Sequence, residues 1–426
     1  MNALDSEKIA GDFYRRGMNA AADIYEADIV ALNTCSVRDK AVQKAYARLG
    51  ELRRLKSANP DMVVCVVGCM SQLEGEKILR RAPYVNIVAG PQKGHVIGGL
   101  VEKTRDTGKP VLELRHNCKP SPLENRQILR DTAWRASVTI SEGCSRYCAF
   151  CVVPETRGPE RHREITGILD EIHELADKGC LEVLLLGQTV NSWVDPADTE
   201  IRFPELLRRA AAIPGLRRIR FTSPHPNGFT DDLLEVMVSH EVICNHIHLP
   251  VQSGSTRVLR DMNRGYTRDD YLEIVRKIRN SPRKIAISTD IIVGYPGETE
   301  AEFQDTMSLV DTVKYDSAFS FKYSPRPHTA AYDLPDDVLE VEKGRRLTLL
   351  QERQRAIQYE RNAGYIGQLQ ELLVESNARS RVRLVGRTSD NKIVNFDGPD
   401  ELIGSFARVE ITGFGPNSLK GSLITT

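Results

Sequence analysis

Along the first hundred residues, short unbroken apolar runs alternate with stretches whose apolar positions recur at helical spacing. Residues 29–32, 62–67 and 85–89 read as buried strands and residues 37–56 and 74–81 as helices, the pattern of an α/β unit with a parallel sheet. Two of these strands run directly into polar loops carrying a cysteine, Asn33-Thr34-Cys35-Ser36 and Gly68-Cys69-Met70. Ligands gather at the carboxyl ends of strands in open α/β sheets, so the two loops are expected to be neighbours. Residues 103–131 lose this periodicity and read as a linker. Six further strand-like runs follow, at 137–141, 181–187, 218–222, 246–251, 286–293 and 318–323, separated by helical patterns such as 165–178, 230–239, 268–280 and 299–312. Six βα units predict a six-stranded partial barrel related to the eight-stranded kind, with its chemistry at the carboxyl ends of the strands. After Pro335 a charged helical stretch runs to about residue 362 and is expected to pack back on the barrel. The remainder changes to short alternating strands broken by Gly, Asn and Pro, at 369–374, 381–385, 393–396 and 407–411, which predicts a small all-β barrel.

Composition narrows the class. The 426 residues carry 58 Lys and Arg against 58 Asp and Glu, which excludes a bulk polycation or an acidic solvating tail. With 41% hydrophobic and 27% charged residues the chain has material for several sizeable cores. The longest apolar run, 62–70, is half of what a membrane helix needs, and the acidic start at Asp5 and Glu7 does not suit a signal peptide. A soluble cytoplasmic protein with no membrane contact is the expectation. The nine cysteines are odd in number and unevenly spaced, which argues against a disulfide framework. Cys180 and Cys244 stand alone and read as core residues, as does Cys65 inside its apolar run, while Cys118 falls in the linker without a strand-end context.

Cys144-Ser-Arg-Tyr-Cys148-Ala-Phe-Cys151 places three thiols directly after the first barrel strand, at the face where catalysis is expected. Three thiolates can bind three irons of a cubane cluster, and the fourth iron is then open to bind and activate a substrate. The competing reading is a zinc site completed by a distant His; zinc ligands usually come in C-x2-C pairs, and no second pair is present.

This C-x3-C-x2-C spacing, with Phe150 before the last cysteine, resembles the signature of radical S-adenosylmethionine enzymes. Thr139-Ile-Ser-Glu-Gly-Cys144, Cys151-Val-Val-Pro-Glu-Thr-Arg-Gly158, Leu186-Gly-Gln-Thr-Val-Asn-Ser192, His248-Leu-Pro-Val-Gln-Ser-Gly-Ser255 and Thr289-Asp-Ile-Ile-Val-Gly-Tyr-Pro-Gly-Glu-Thr299 are similar to those of the methylthiotransferases within that superfamily. Phe221-Thr-Ser-Pro-His-Pro226, Met262-Asn-Arg-Gly-Tyr266 and Tyr323-Ser-Pro-Arg-Pro327 resemble the tRNA-modifying branch more than the ribosomal-protein branch. The resemblance covers essentially the whole chain and implies four segments. These are an N-terminal methylthiotransferase domain over residues 1–103, a linker over 104–131, a radical barrel with a trailing helix over 132–362, and a TRAM domain that binds RNA over 363–426.

The implied reaction is methylthiolation at C2 of N6-isopentenyladenosine 37, next to the anticodon. A cluster on Cys144, Cys148 and Cys151 would cleave S-adenosylmethionine to a 5′-deoxyadenosyl radical that takes hydrogen from C2, because that C–H bond is too strong and too weakly acidic for a side-chain base. A second [4Fe-4S] cluster is implied in the N-terminal domain, with Cys35 and Cys69 matching two of its three ligands. The third sits in a Gly-Cys-Gln-Met-Asn motif that would lie just upstream of Met1, and the strand before it is absent as well. The expectation is that Met1 is internal and the natural start lies roughly twenty residues upstream, since a sheet lacking a buried strand exposes apolar area. The other reading is a shortened form with a damaged second cluster.

Further site residues follow from position. Gln188 and Asn191 after the second barrel strand, and Gln252 and Ser253 after the fourth, are placed to hydrogen-bond S-adenosylmethionine or the adenine. Alternation on a strand would put Arg379, Arg381 and Arg383 on one face toward RNA, and Arg157, Arg161 and Arg163 are candidates for the anticodon stem or the cofactor carboxylate. His246 and His248 share one strand face and read as core or rim residues, not metal ligands. Expected partners are the tRNA anticodon stem-loop and an electron donor such as flavodoxin or ferredoxin, with the chain a monomer. Three alternatives stay open: methylthiolation of a threonylcarbamoyladenosine tRNA or of a ribosomal protein, an RNA-binding protein with an impaired second cluster, and a structural zinc protein.

Overall fold

A computed structural model describes every residue except 37–38, 117–127, 378–382 and 425–426. Cys118, Arg379 and Arg381 therefore lie outside the described residues.

The N-terminal unit begins with α1 (Asn2–Arg15), followed by β1 (Ile29–Thr34), α2 (Asp39–Ala58), β2 (Val63–Gly68), α3 (Cys69–Glu74), α4 (Glu76–Arg81), β3 (Ile87–Ala89), α5 (Ile97–Thr107) and β4 (Val111–Glu113). The strands form one parallel sheet in the order β1-β2-β3-β4. Both faces are covered, as a parallel sheet requires. Ile9 of α1 and Ile97 and Val101 of α5 pack with Val63, Cys65, Val67 and Ile87 on one face, while Leu49 and Leu52 of α2, Met70 and Ile78 pack with Val64, Val66 and Val88 on the other. Cys65 is thus a core residue, as expected. Two differences from the sequence reading stand out. The end of α5 and all of β4 fall inside the stretch read as linker, where a three-residue strand is too short to show a period. Cys69 is the first residue of a helix and not part of a loop: Gly68, at φ +107°, turns the chain directly from β2 into α3.

The second unit starts with β5 (Arg135–Thr139), a small hairpin of β6 (Ser141–Glu142) and β7 (Arg161–His162) that encloses α6 (Val153–Arg157), and α7 (Ile165–Asp177). It continues through β8 (Glu182–Leu186), α8 (Phe203–Ala211), β9 (Arg218–Phe221), α9 (Asp231–Ser239), β10 (His246–His248), α10 (Thr256–Asp261), α11 (Arg268–Asn280), β11 (Ala286–Val293), α12 (Glu300–Val313) and β12 (Ser317–Lys322). The six long strands are parallel, in the order β5-β8-β9 and β10-β11-β12, and a parallel bridge from Ile219 to Ile243, just before β10, joins the two halves. This is the expected six-stranded partial barrel. Val138, Val183, Ile219, Ile247, Ile287 and Ile291 face outward into a core with the surrounding helices. Strand alternation then turns Glu182, Arg218, Arg220, His246, His248 and Ser288 to the concave side. The strand expected over 246–251 ends at His248, because Pro250 has no N–H to give a ladder.

The charged helix α13 (Glu340–Ala363) packs on β12, as expected, and leads to β13 (Leu369–Asn377), β14 (Leu384–Arg387), β15 (Ile393–Asp397), β16 (Phe406–Phe414) and β17 (Leu419–Leu423). These five close into a barrel in the order β13-β14-β15-β17-β16 around Leu372, Val394, Phe396, Val409 and Leu419. β17, whose Lys420, Gly421 and Ser422 hide its pattern, had no sequence signal. β14 begins at Leu384, so Arg383 precedes the strand instead of lying within it.

The two outer units sit at opposite ends of the six-stranded barrel. The N-terminal unit covers the carboxyl ends of the strands, with α3 against α6. The C-terminal barrel covers the amino ends, where the turn between β14 and β15 enters the concave side: Arg220 donates to the carbonyls of Thr388 (2.7 Å) and Ser389 (3.2 Å), and Arg218 to that of Arg387 (2.7 Å).

Candidate cluster and cofactor site

The three-cysteine loop is held in place from several sides. The N–H of Cys144 donates to the carbonyl of Gly158 (3.1 Å), that of Ala149 to Met262 (2.9 Å), and that of Ala331 back to Ala149 (2.7 Å). Gly143, at φ +80°, lies so close to Gly158 and Pro159 that a Cβ there would stand 2.2 Å from the Pro159 carbonyl oxygen, so only glycine fits. Cys144 and Cys151 are deeply set; burial raises both thiols, Cys151 to about 12. Cys148 is the cysteine with a cationic hydrogen-bond partner. Arg264, 6% exposed, donates from Nη1 to Cys148 Sγ (3.2 Å), from Nη2 to the Pro250 carbonyl (3.0 Å) and from Nε to the Tyr266 hydroxyl (3.1 Å). A buried guanidinium donating to that sulfur would offset negative charge on a cluster bound there. Arg264 belongs to the Met262-to-Tyr266 segment, but its contact with Cys148 spans a fold-dependent gap in sequence and was not anticipated.

The donor chemistry suits a cluster: three thiols in one short loop at the strand-end face of a barrel. Beside the loop, at the carboxyl ends of β5, β8 and β9, Ser141 Oγ, Gln188 Oε1 and His225 Nε2 are buried without a hydrogen-bond partner. Orphaned polar atoms of this kind are costly unless a ligand satisfies them, and S-adenosylmethionine has the ammonium, carboxylate and hydroxyl groups to do so. Burial, with Arg264 and Arg146 nearby, pushes His225 down to about 2, so its ring is neutral.

The structure places the other predicted residues as follows. Cys35 and Cys69 follow the paired strand ends Thr34 and Gly68, so the segments they begin, a loop and the helix α3, are neighbours, as the sequence suggested for the two strand ends. A Cβ on Gly68 would lie 2.3 Å from the Thr34 carbonyl oxygen, so glycine is what allows the two ends to approach. Burial raises the Cys69 thiol, opposed by Arg157, with Thr156 also against it. Asn191 is spent on its neighbour loop, exchanging hydrogen bonds with the His225 N–H (2.7 Å) and carbonyl (2.8 Å). Gln188 reaches the Met1 thioether through its amide nitrogen. Gln252 adopts φ +74° and is tied through its main chain to Asp290 and Ile292, while the fully buried Ser253 accepts from Ser255 N–H (3.2 Å) inside its own turn. Arg157 and Arg163 are spent on counter-charges inside the protein, whereas Arg161 pairs through Nη2 and keeps Nε and Nη1 buried without a partner. Arg157 pairs with Asp5 (2.5 Å), Arg161 with Glu142 (2.8 Å), and Arg163 with Glu171 (2.7 Å) and the Thr139 carbonyl (2.7 Å). Their guanidinium groups are turned inward because Asp5, Glu142 and Glu171 supply buried counter-charges that no local pattern reveals. Arg383 pairs with Asp397 (3.3 Å) and is half exposed.

Comparison with known proteins follows the same division. Models of the Radical SAM superfamily, of Uncharacterized protein family UPF0004 and of the TRAM domain match residues 138–310, 1–90 and 364–424. A tRNA-2-methylthio-N(6)-dimethylallyladenosine synthase of Solibacter usitatus is 45% identical over 99% of this chain and 95% of its own, and one of Yersinia enterocolitica 43% identical over 100% and 90%. The chain belongs to this family of synthases. Among solved structures, a radical S-adenosylmethionine methyltransferase from Kitasatospora setae superposes with TM-score 0.57 over 78% of this chain and 72% of its own at 17% identity, a likeness of fold. The Radical SAM match implies a [4Fe-4S] cluster and S-adenosylmethionine, and the residues it covers include Cys144, Cys148 and Cys151. Among the described residues no helix is long and apolar enough to cross a membrane.

Proposed function

We propose that this protein methylthiolates C2 of N6-(dimethylallyl)adenosine 37 in tRNA, with S-adenosylmethionine and two [4Fe-4S] clusters, one on Cys144, Cys148 and Cys151 and one on Cys35, Cys69 and a further ligand. The observation that carries this reading is the short bridge between the two cysteine sets. α6 starts two residues after Cys151, and its last residues, Thr156 and Arg157, lie against Cys69. Two thiol sets linked by one short helix, on facing domains, would hold two clusters beside each other, which would supply carbon activation and sulfur at one site.

When bound, the clusters and S-adenosylmethionine supply the one-electron chemistry and the sulfur that no side chain can provide. The protein supplies position. Arg264 fixes Cys148 and ties it to the end of β10; Ser141, Gln188 and His225 offer polar atoms to the cofactor; Arg157, clamped by Asp5, holds α6 against the Cys69 helix. Burial opposes the charge of Arg157, but Asp5 and then Cys69 outweigh it and hold its pKa above the usual arginine value. RNA is expected to reach the carboxyl-end face, with phosphate contacts proposed for Arg383, just before β14, and for Arg379 and Arg381, which lie outside the described residues. An electron donor such as flavodoxin or ferredoxin completes the system, the chain acting as a monomer in the cytoplasm.

The test is anaerobic reconstitution of the full chain, followed by iron and sulfide analysis and by mass spectrometry of nucleosides from tRNA incubated with S-adenosylmethionine and reductant. Uptake of about eight irons and sulfides, with methylthio transfer confined to dimethylallyladenosine, is the expected result. Deoxyadenosine formation without methylthio product, or equal transfer to threonylcarbamoyladenosine tRNA, overturns it.

A further inference from the structure

The concave side of β10, β11 and β12 carries a patch that neither the cluster site nor the domain contacts use. His248 Nδ1 and His246 Nε2 both bond the Ser288 hydroxyl at 2.9 Å, and His248 Nε2 faces Asp290 at 3.4 Å. Asp290 is the register partner of Phe319 on β12, whose ring meets that of His248 edge-on with centroids 6.0 Å apart. Phe319 is 55% exposed. Its strand neighbours on β11, Ile287 and Ile291, turn into the core on the other side, so this phenylalanine stands on the hollow side of the barrel with its face uncovered. An exposed aromatic beside a partly buried carboxylate is unexplained by packing, since among the described residues nothing covers the ring and no Arg or Lys pairs with Asp290.

We propose that Phe319, His248 and Asp290 form the seat of the adenine base that the enzyme modifies, a reading that rests on the tRNA activity proposed above. The uncovered ring of Phe319 offers a stacking surface to a purine, and the Asp290 carboxylate accepts the one exocyclic N–H that an N6-alkylated adenine keeps. Ser288 donates to one histidine and accepts from the other, which fixes the orientation of His248 beside the base. His246, deeper toward the C-terminal barrel, is neutral: burial, then Arg220, push it down to about 3. Two adenines are candidates, that of the RNA and that of S-adenosylmethionine. The orphaned polar atoms that suit the cofactor lie on the other half of the arc, at the ends of β5, β8 and β9, whereas Asp290 sits three residues below the carboxyl end of β11, about 10 Å into the barrel. That separation assigns the patch to the RNA base.

The experiment uses the reconstituted full chain and an anticodon stem-loop carrying formycin at the target position, a fluorescent isostere of adenosine that keeps the C2–H and the exocyclic amine. Stacking on Phe319 quenches the fluorophore in the wild type. Phe319→Tyr should keep the quench, and Phe319→Leu should abolish it and lower kcat/KM for tRNA about tenfold, while the stem-loop affinity measured by gel shift, set mainly by phosphate contacts, changes less than about twofold. Asp290→Ala should lower kcat/KM about tenfold and Asp290→Asn, which keeps an acceptor oxygen, less. A quench that survives in Phe319→Leu, or is lost equally in the Tyr and Leu variants, overturns the proposal. So does weakened S-adenosylmethionine binding with the RNA quench intact, which would hand the patch to the cofactor. Because the quench reads base placement and not product, a wild type that quenches but transfers no methylthio group would refute the activity while leaving the seat in place.

Discussion

The six-stranded barrel meets its two neighbouring domains through different chemistry. At the carboxyl ends, the N-terminal domain is joined by paired charges: Arg157 with Asp5, and Glu142 between Lys8 (3.4 Å) and Arg161 (2.8 Å). At the amino ends, Arg218 and Arg220 donate mostly to main-chain carbonyls of the C-terminal barrel, with Glu182 (2.8 Å) beneath Arg220 and the Asp316 carboxylate shared by Arg361 (2.8 Å) and Lys392 (3.4 Å). Carbonyl acceptors neither titrate nor depend on the identity of the residue that bears them. Charge pairs depend on both. The floor of the barrel therefore adds carbonyl acceptors to ion pairs such as Arg135 with Glu375 (2.8 Å) and Lys392 with Asp316 (3.4 Å), while the face that carries the cysteines relies on buried charge pairs.

The largest effect is expected at the floor. Arg220→Met strands Glu182 as a buried unpaired carboxylate and frees two carbonyls, so the chain should lose about 3–5 kcal/mol in denaturant unfolding, with the C-terminal barrel exchanging amide hydrogens faster. A loss below about 1 kcal/mol would mean that the carbonyl contacts do not hold the domain. At the opposite face, Asp5→Asn leaves Arg157 with a weaker partner and should cost about 2 kcal/mol. Hydrogen exchange should then quicken in α1 and α6 and stay unchanged in β13 to β17; uniform quickening would show that the two junctions are not independent.

Acid sharpens the contrast. Burial favours protonation of Glu142, but Lys8, Arg157 and Arg161 outweigh it and hold its pKa below the usual 4.5. A carboxylate depressed on folding contributes stability that is fully present above its unfolded value and is lost as pH falls through the lowered one. Asp316 is likewise held below 3.8, against burial, chiefly by Lys392 and Arg361. Lowering the pH from 7 should therefore weaken the Glu142 junction only below pH 4.5 and the Asp316 clasp only below pH 3.8, each as pH falls through its own lowered pKa, and exchange mapped along that titration checks both. The smallest effect is Arg383→Ala: the pair with Asp397 is exposed, so stability should change by no more than about 1 kcal/mol, while the salt dependence of tRNA binding should fall by about one unit of slope if Arg383 meets a phosphate.

Much of this fold was legible because βα alternation is a local property. The helix over residues 268–280 and the strand over 286–293 appear where their periodicity puts them, since each is long enough for a period to show and carries its own caps, such as the reciprocal Thr267 and Asp270 pair. β4, three residues long, and β17, interrupted by Gly421, lack that length and are strands only because a sheet edge receives them. The helix α1 was not read from the sequence either; what makes its Ile9 a core residue is the sheet beneath it.

For the site the division is similar. The sequence by itself determined the three-cysteine loop, the strand-end placement of Cys35 and Cys69, and the family, because ligand spacing within one loop and strand-to-loop order are written in consecutive residues. Only the tertiary structure decided which charges are spent and which are free. Arg157, Arg161 and Arg163 look like an RNA-binding run, yet each turns inward to a carboxylate from another segment, and Arg264, unremarked in the sequence, closes on Cys148. The pairing of a charge is a long-range property: desolvation and a counter-ion brought from distant sequence set it, and no local pattern encodes either.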